Sequence, residues 1–141
     1  MYLKTQARQD IEKNLAAVFI LTKDGRTVAG YYTLSQYSVE ADTIPEEIKR
    51  KLTKHHSIPA TLIGRLARNS IFRGQGVGEL LLMDALKRPY IHSKQIASWA
   101  VIVDAKDDQA VAFYKKYGFM EILNNPRKLF LPMSTVSKLV E

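Results

Sequence analysis

Arg73-Gly-Gln-Gly-Val-Gly78 places three glycines at alternate positions, and few folds can accommodate such a stretch. Ala60 to Ala67 before it is apolar and β-compatible, and Val77 to Leu86 behind it carries apolar residues at helical spacing. The pattern predicts a strand, a tight turn and a helix in succession. Three missing Cβ atoms let successive backbone N–H groups point into one concavity where the helix begins. The unpaired amides and the positive end of the helix dipole then face the same spot, a geometry suited to phosphate oxygens.

The identity of the phosphate ligand follows from what surrounds the glycines. A nucleotide P-loop needs Lys and Ser or Thr after its last glycine, whereas Gly78 is followed by Glu79 and Leu80. A dinucleotide fingerprint needs Gly-x-Gly-x-x-Gly, but the glycines fall at 74, 76 and 78, and no acidic residue closes a following strand at the usual distance. On the turn alone, a plain glycine-rich β–α connection stays open. A second stretch narrows the choice. Lys106-Asp-Asp-Gln-Ala-Val-Ala-Phe-Tyr-Lys-Lys-Tyr-Gly-Phe119 follows the apolar run Ser98 to Ala105, with Asp107 or Asp108 as N-cap and Gly118 as a left-handed C-cap.

Arg73-x-x-Gly76-x-Gly78 resembles the pyrophosphate-binding motif of the GNAT family of N-acetyltransferases. Ala110-x-x-Phe113-Tyr114-x-x-x-Gly118-Phe119 resembles the signature that ends the same family's cofactor site. The resemblance runs from about Leu3 to Leu131. It implies an α/β sandwich around a mixed sheet, acetyl-CoA as acetyl donor and no metal. Its diphosphate is expected on the segment Arg73, Gly74, Gln75, Gly76, Val77, Gly78 and Glu79, with Asp107 also at the cofactor. In such enzymes the strand before the turn splays from its parallel neighbour and its exposed backbone pairs with the pantetheine arm; Leu66 and Arg68 fit that role. A backbone N–H of that strand would polarise the thioester oxygen. Tyr114 is the candidate proton donor to the departing thiolate, with Tyr117 as its competitor.

Four segments, Gln6-Ala-Arg-Gln-Asp10, Gly30-Tyr-Tyr-Thr-Leu34, Ile58-Pro-Ala-Thr-Leu-Ile-Gly-Arg-Leu-Ala67 and Ala85-Leu-Lys-Arg88, are similar to the toxins of bacterial type II toxin–antitoxin pairs. That resemblance implies acetylation of the α-amine of aminoacyl-tRNA, translation arrest, a ribbon-helix-helix antitoxin and a homodimer. Arg68-Asn69 stands where that subfamily more often has Val-Asp. Family members also begin with a strand and a helix before the element that starts here at Tyr2, so the sheet is expected to lack an edge strand or to have it covered by a partner. Two rival readings share the cofactor site: acetylation of a protein or small-molecule amine, and a non-catalytic remnant that keeps coenzyme A or antitoxin binding.

Composition bounds these readings. The 141 residues, 46% of them hydrophobic, suffice for one core and one domain spanning 1–141. No cysteine is present, which excludes disulfides and thiol nucleophiles, and the adjacent His55 and His56 read as a solvated pair rather than metal ligands. Apolar runs are strand-sized and no leader pattern is seen, so no membrane association and a cytoplasmic location are expected. A net charge of +7 favours polyanionic partners. Lys49, Arg50, Lys51 and Lys54 crowd one side of a short helix. That side is either a solvated face or, with Arg65, part of an RNA-backbone surface.

The remaining elements follow from periodicity. Leu3, Ala7, Ile11 and Leu15 predict an amphipathic helix. Ala16 to Thr22 and Thr27 to Val39 predict a hairpin turning at Lys23-Asp-Gly-Arg26. Asp42 or Thr43 should cap a helix that starts at Pro45 and buries Ile44, Ile48 and Leu52. Ser57 to Pro59 reads as a loop, and Pro89 as the end or a kink of the helix begun at Val77. Phe119 to Leu123 and Lys128 to Met133 read as strands flanking a turn, Asn124 to Arg127, before a terminal helix from Ser134.

Overall fold

The computed structural model describes residues 6–22, 24–52 and 56–141. In chain order come α1 (Ala7–Glu12), β1 (Ala17–Thr22), β2 (Val28–Glu40), a 3-10 turn (Ala41–Thr43), α2 (Glu46–Lys49) and β3 (Ser57–Arg68). A second 3-10 turn (Ser70–Phe72) leads to α3 (Val77–His92), β4 (Ala100–Asp104), α4 (Asp108–Lys116), β5 (Met120–Ile122), β6 (Asn125–Pro132) and α5 (Met133–Val140). The strands form one six-stranded mixed sheet in the order β1-β2-β3-β4-β6-β5. Only β3 and β4 pair in parallel, joined by the crossover through α3.

β4 is the strand buried on both faces, as its unbroken apolar run requires. Val101 and Val103 enter a core with Leu81, Leu82 and Leu86 of α3, Tyr114 of α4 and Val136 of α5. Ala100 and Ile102 enter a second core with Ile44, Ile58 and Phe130, closed by Ile48 and Leu52. Helices α3, α4 and α5 therefore cover one face, and the first 3-10 turn with α2 covers the other. Gly30 is required where α3 meets the sheet: a Cβ there would lie 2.5 Å from Leu81 Cδ1 and 2.8 Å from the Ala67 carbonyl oxygen.

β3 carries the irregularity that shapes the site. Tyr32 pairs with Leu66 but Leu34 pairs with Ile63, so Gly64 and Arg65 together face Thr33 in a bulge. The extra residue explains why Ile63 and Leu66, three positions apart, both contribute to the same core. Buried Thr33 stabilises the bulge by accepting the Arg65 amide at 3.0 Å. On its other side β3 pairs with β4 only from Ala60↔Ala100 to Ile63↔Val103. Beyond that pair β3 runs on to Arg68 with β2 alone as its partner. The parallel strands thus part at the bulge.

Several local expectations are corrected. The N-terminal helix is a short one that buries only Ala7; Ile11 and Leu15 are exposed, and Leu3 lies outside the described residues. It stops because Asn14 turns into left-handed backbone just after the C-cap Lys13. Neither Asp42 nor Thr43 caps α2: Pro45 is the N-cap residue, and Thr43 instead bonds its hydroxyl to the Glu40 carbonyl. Ser57 to Pro59 belongs to β3, paired with Ser38 to Glu40. α3 continues through Pro89 to His92, and Ser93 N bonds Pro89 O at 2.8 Å past its end. Asn125 to Arg127 belongs to β6, because left-handed Asn124 tightens the hairpin to Leu123-Asn124. At the β1–β2 turn, Asp24 accepts the amides of Arg26 and Thr27, while Lys23 lies outside the described residues.

Candidate active site

The glycine turn has the geometry its composition predicts. Gly74 (φ 81°) and Gly76 (φ 74°) both adopt left-handed backbone, and a Cβ on either would meet nothing within 4 Å. The space over the turn is open, and it is the glycine φ angles that keep it shaped. Gly76 is the N-cap of α3 and offers no capping side chain. The first hydrogen bond of the helix is made by Leu80 to Gly76 O, so the amides of Val77, Gly78 and Glu79 precede it. Arg73 is exposed beside the turn, and Gln75 N bonds Phe72 O at 3.2 Å. The Arg73 guanidinium and the amides of Val77, Gly78 and Glu79 form a donor set that fits a diphosphate.

β3 delivers the chain to that turn. Asn69 N bonds Ala29 O, and the Asn69 side chain donates to Val28 O and accepts from Ile71 N. The Asn at this position therefore anchors the end of β3 to β2. Leu66 and Arg68 lie on the parted segment, opposite Tyr32 and Gly30 of β2. Their backbone on the β4 side faces the gap, where an extended pantetheine arm would add as a strand.

α4 closes the site from the far side of the gap. Asp107 is its N-cap, with its carboxylate accepting Ala110 N at 2.8 Å, and Gly118 (φ 98°) follows the C-cap Tyr117. Arg127 braces the entry by bonding Lys106 O at 3.0 Å. A Cβ on Gly78 would touch the Phe113 ring at 3.8 Å, so α4 packs directly on the first turn of α3. Tyr114 is buried in the core that holds Val77 and Ala105, edge-on to Phe113 and tilted against Phe119. Burial pushes its phenol up to about 12. Among the described residues its hydroxyl has no hydrogen-bond partner. Tyr117, by contrast, is engaged by Glu79; burial first, then the Glu79 charge and hydrogen bond, raise its pKa.

The cations expected on an RNA surface do not form one patch. Lys49 and Arg50 stand at α2, near the start of β3, and Arg50 is exposed. Arg65 is exposed at the bulge, roughly 25 Å further along the strand at the usual rise per residue. Lys54 lies outside the described residues. No group of His, Asp and Glu able to hold a metal is found among the described residues, nor any helix long and apolar enough to cross a membrane.

Residues 1–134 match the acetyltransferase (GNAT) domain. The chain belongs to the GNAT acetyltransferase family. The chain is 32% identical over 146 residues to a protein of Sinorhizobium fredii described as probable toxin TacT, covering 99% of this chain and 81% of that one. It is 31% identical over 139 residues to a tRNA-acetylating toxin of Mycobacterium tuberculosis, covering 99% and 82%. Among solved structures, AtaT complexed with acetyl-methionyl-tRNAfMet matches with a TM-score of 0.90 at 28% identity, over 99% of this chain and 84% of that one. A mutant AtaT toxin bound to the C-terminus of the antitoxin AtaR and acetyl-CoA matches with a TM-score of 0.81 at 27% identity, over 98% and 80%.

Sequence reasoning missed three features. The bulge at Gly64 and Arg65 has no residue signature. A network ties Tyr32 to α3: its hydroxyl bonds Asp84 and accepts Arg88 Nε at 2.7 Å, and burial with the Asp84 bond raises the phenol's pKa. On the opposite face Lys128 joins Tyr37 and Asp104.

Proposed function

We propose that this GNAT acetyltransferase transfers the acetyl group of acetyl-CoA to the α-amine of the amino acid esterified on tRNA, as a toxin that blocks translation. The observation that carries the proposal is the 31% identity to a tRNA-acetylating toxin over 99% of the chain. The match to AtaT in complex with acetyl-methionyl-tRNAfMet supports it.

Acetyl-CoA supplies the acetyl group as an activated thioester. The glycine turn with the amides of Val77, Gly78 and Glu79 holds its diphosphate, and the open backbone edge at Leu66 and Arg68 aligns its pantetheine arm. In the reaction an N–C bond forms, the C–S bond breaks, one proton leaves the amine and one arrives at sulfur. Tyr114, raised in pKa and unpartnered, delivers the proton to sulfur. A backbone N–H of the parted segment of β3 stabilises charge on the carbonyl oxygen. The held geometry supplies much of the acceleration by making amine and thioester near neighbours. Arg65, Lys49, Arg50 and Lys54 contact the tRNA backbone. The protein works as a cytoplasmic homodimer and is restrained by a ribbon-helix-helix antitoxin, a reading supported by AtaT bound to AtaR.

The test is incubation with labelled acetyl-CoA and total charged tRNA. Label should join the esterified amino acid, and cleavage of the ester should release it as an N-acetyl amino acid. Label on protein lysines, or none despite cofactor binding, would replace this reading with one of the two rivals.

A further inference from the structure

The Lys128, Asp104 and Tyr37 cluster lies on the face of the sheet opposite Tyr114, and its Asp104 stands where β3 and β4 part. Asp104 is the residue directly after Val103, whose pairing with Ile63 is the last between the two strands. Continuing that register would set Asp104 across the widening gap from Gly64, an exposed position without a side chain. Asp104 also pairs directly with Lys128 on β6. Alternation assigns the faces: Ile102 and Phe130, two residues from Asp104 and Lys128, enter the core under α2, whereas Tyr114 belongs to the core under α3 and α4.

Lys128 Nζ lies 3.1 Å from Asp104 Oδ1 and donates to the Tyr37 hydroxyl at 2.9 Å. It sits 4.8 Å from the centroid of the Tyr37 ring, and its side chain is 22% exposed against 53% for Asp104. The cation is thus held from both sides, while the carboxylate it fixes stays open to solvent. Tyr37 and Lys128 also wall a cavity of about 280 Å³ that reaches Thr43 and Leu123. Two members of the cluster, Tyr37 and Lys128, therefore border free space.

We propose that Asp104 is the acceptor-amine subsite: its carboxylate accepts an N–H bond from the α-amine of the aminoacyl ester, and Lys128 and Tyr37 are positioning residues that aim it into the gap. This rests on the aminoacyl-tRNA reading above and deepens it. A carboxylate serves because the ligand is an amine: protonated it can only donate, and neutral, with its lone pair turned toward the thioester, it again presents only N–H groups. It also places the amine and the proton donor Tyr114 on opposite faces of the sheet, one group for each side of the gap.

The experiment compares wild type with Asp104→Asn. KM for charged tRNA should rise about tenfold or more, the scale of a hydrogen bond to a charged group, while the melting-temperature shift given by acetyl-CoA stays unchanged. A binding measurement supplies the second readout. Charged tRNA deaminated with nitrous acid carries a hydroxyl in place of the amine; wild type should bind the amine form more tightly, and Asp104→Asn should lose that preference. If Asp104→Asn fails to fold, Lys128→Gln serves instead and should weaken the same preference by untethering the carboxylate. An unchanged KM and an unchanged preference, in a protein whose wild type acetylates charged tRNA, overturn this inference and leave the proposed function standing. Absence of any acetylation of charged tRNA by wild type overturns both.

Discussion

The Tyr117 phenol at the C-cap of α4 feels the Glu79 carboxylate in the first turn of α3, which adds to burial in raising its pKa. Tyr114, one turn earlier on the same helix, has no such partner and is buried between Phe113 and Phe119. Tyr114 and its competitor Tyr117 therefore differ in surroundings: Tyr117 stands by a carboxylate, whereas the Tyr114 hydroxyl is buried with no hydrogen-bond partner among the described residues.

Tyr114→Phe is expected to lower kcat by about two orders of magnitude, within the usual range for losing a general acid. The acetyl-CoA thermal shift should be nearly unchanged, because the ring and its packing remain. Tyr117→Phe should leave kcat within a small factor of wild type. Steady-state kinetics on both variants check this, and the reverse ranking would move the acid role to Tyr117.

The pH profile follows from the sign of the Tyr114 shift. Burial raises the phenol from its ordinary value to about 12, so the proton-bearing form persists far into the alkaline range. Up to about pH 9 the rate should climb as the acceptor amine deprotonates, with a midpoint near the reference α-amine value of about 7.7–8.0. It should then stay level to at least pH 9.5. A fall in kcat/KM centred below that pH would assign the acid to a group of lower pKa. Stability carries the same sign: the Tyr114 contribution is whole below pH 10, where the unfolded phenol ionises, and is lost as pH rises through 12.

At Gly76 two substitutions should separate backbone strain from filling of the cradle. A Cβ there meets nothing within 4 Å, so Gly76→Ala suffers only the left-handed φ, about 1–2 kcal/mol. Gly76→Asp adds bulk and negative charge where the diphosphate is to bind. Thermal melting with and without acetyl-CoA should show a reduced shift for alanine and none for aspartate. An undiminished shift for aspartate would remove the diphosphate from this turn.

Gly30→Ala should destabilise the fold itself. Its Cβ would enter Leu81 Cδ1 at 2.5 Å and the Ala67 carbonyl oxygen at 2.8 Å, and the second of these is backbone that cannot swing aside. Overpacking of this kind costs about 1–3 kcal/mol, which should lower the melting temperature by several degrees. Adding Leu81→Ala relieves only one of the two contacts and leaves its own cavity, so the double variant should not recover.

How far the site could be read from residues depended on whether its signals were local. Asp107 and Gly118 frame α4 because capping and left-handed backbone are chemistry within one turn, and Gly74 and Gly76 declare their φ angles by type. The strand order around β3 and β4 was implied by the β–α–β succession. The bulge was invisible, since Gly64 and Arg65 look like ordinary alternation until Ile63 and Leu66 are seen in one core. The Asp104 and Lys128 pair was equally hidden, because only the register of β4 on β6 brings those charges together. The stripe Ala7, Ile11, Leu15 misled for the opposite reason: its period is helical, but Asn14 turns the chain before Leu15 can join the face.

Salt dependence should report the reach of the tRNA contact. Lys49 and Arg50 stand near the start of β3 and Arg65 near its end, so the cations mark a track along the molecule and not a single pocket. A phosphate backbone following that track releases one set of counterions per neutralised contact, and log Kd should rise linearly with log salt. Each of Arg50→Ala and Arg65→Ala should weaken binding to all charged tRNAs alike and reduce the slope by about one. The acetyl-CoA thermal shift should not move in either variant, which separates loss of RNA contact from damage to the cofactor site. Filter binding of charged tRNA across a salt series measures the slopes. If both variants keep the wild-type slope, the tRNA runs over another face, and the exposed Lys115 and Lys116 at the end of α4 become the next pair to replace.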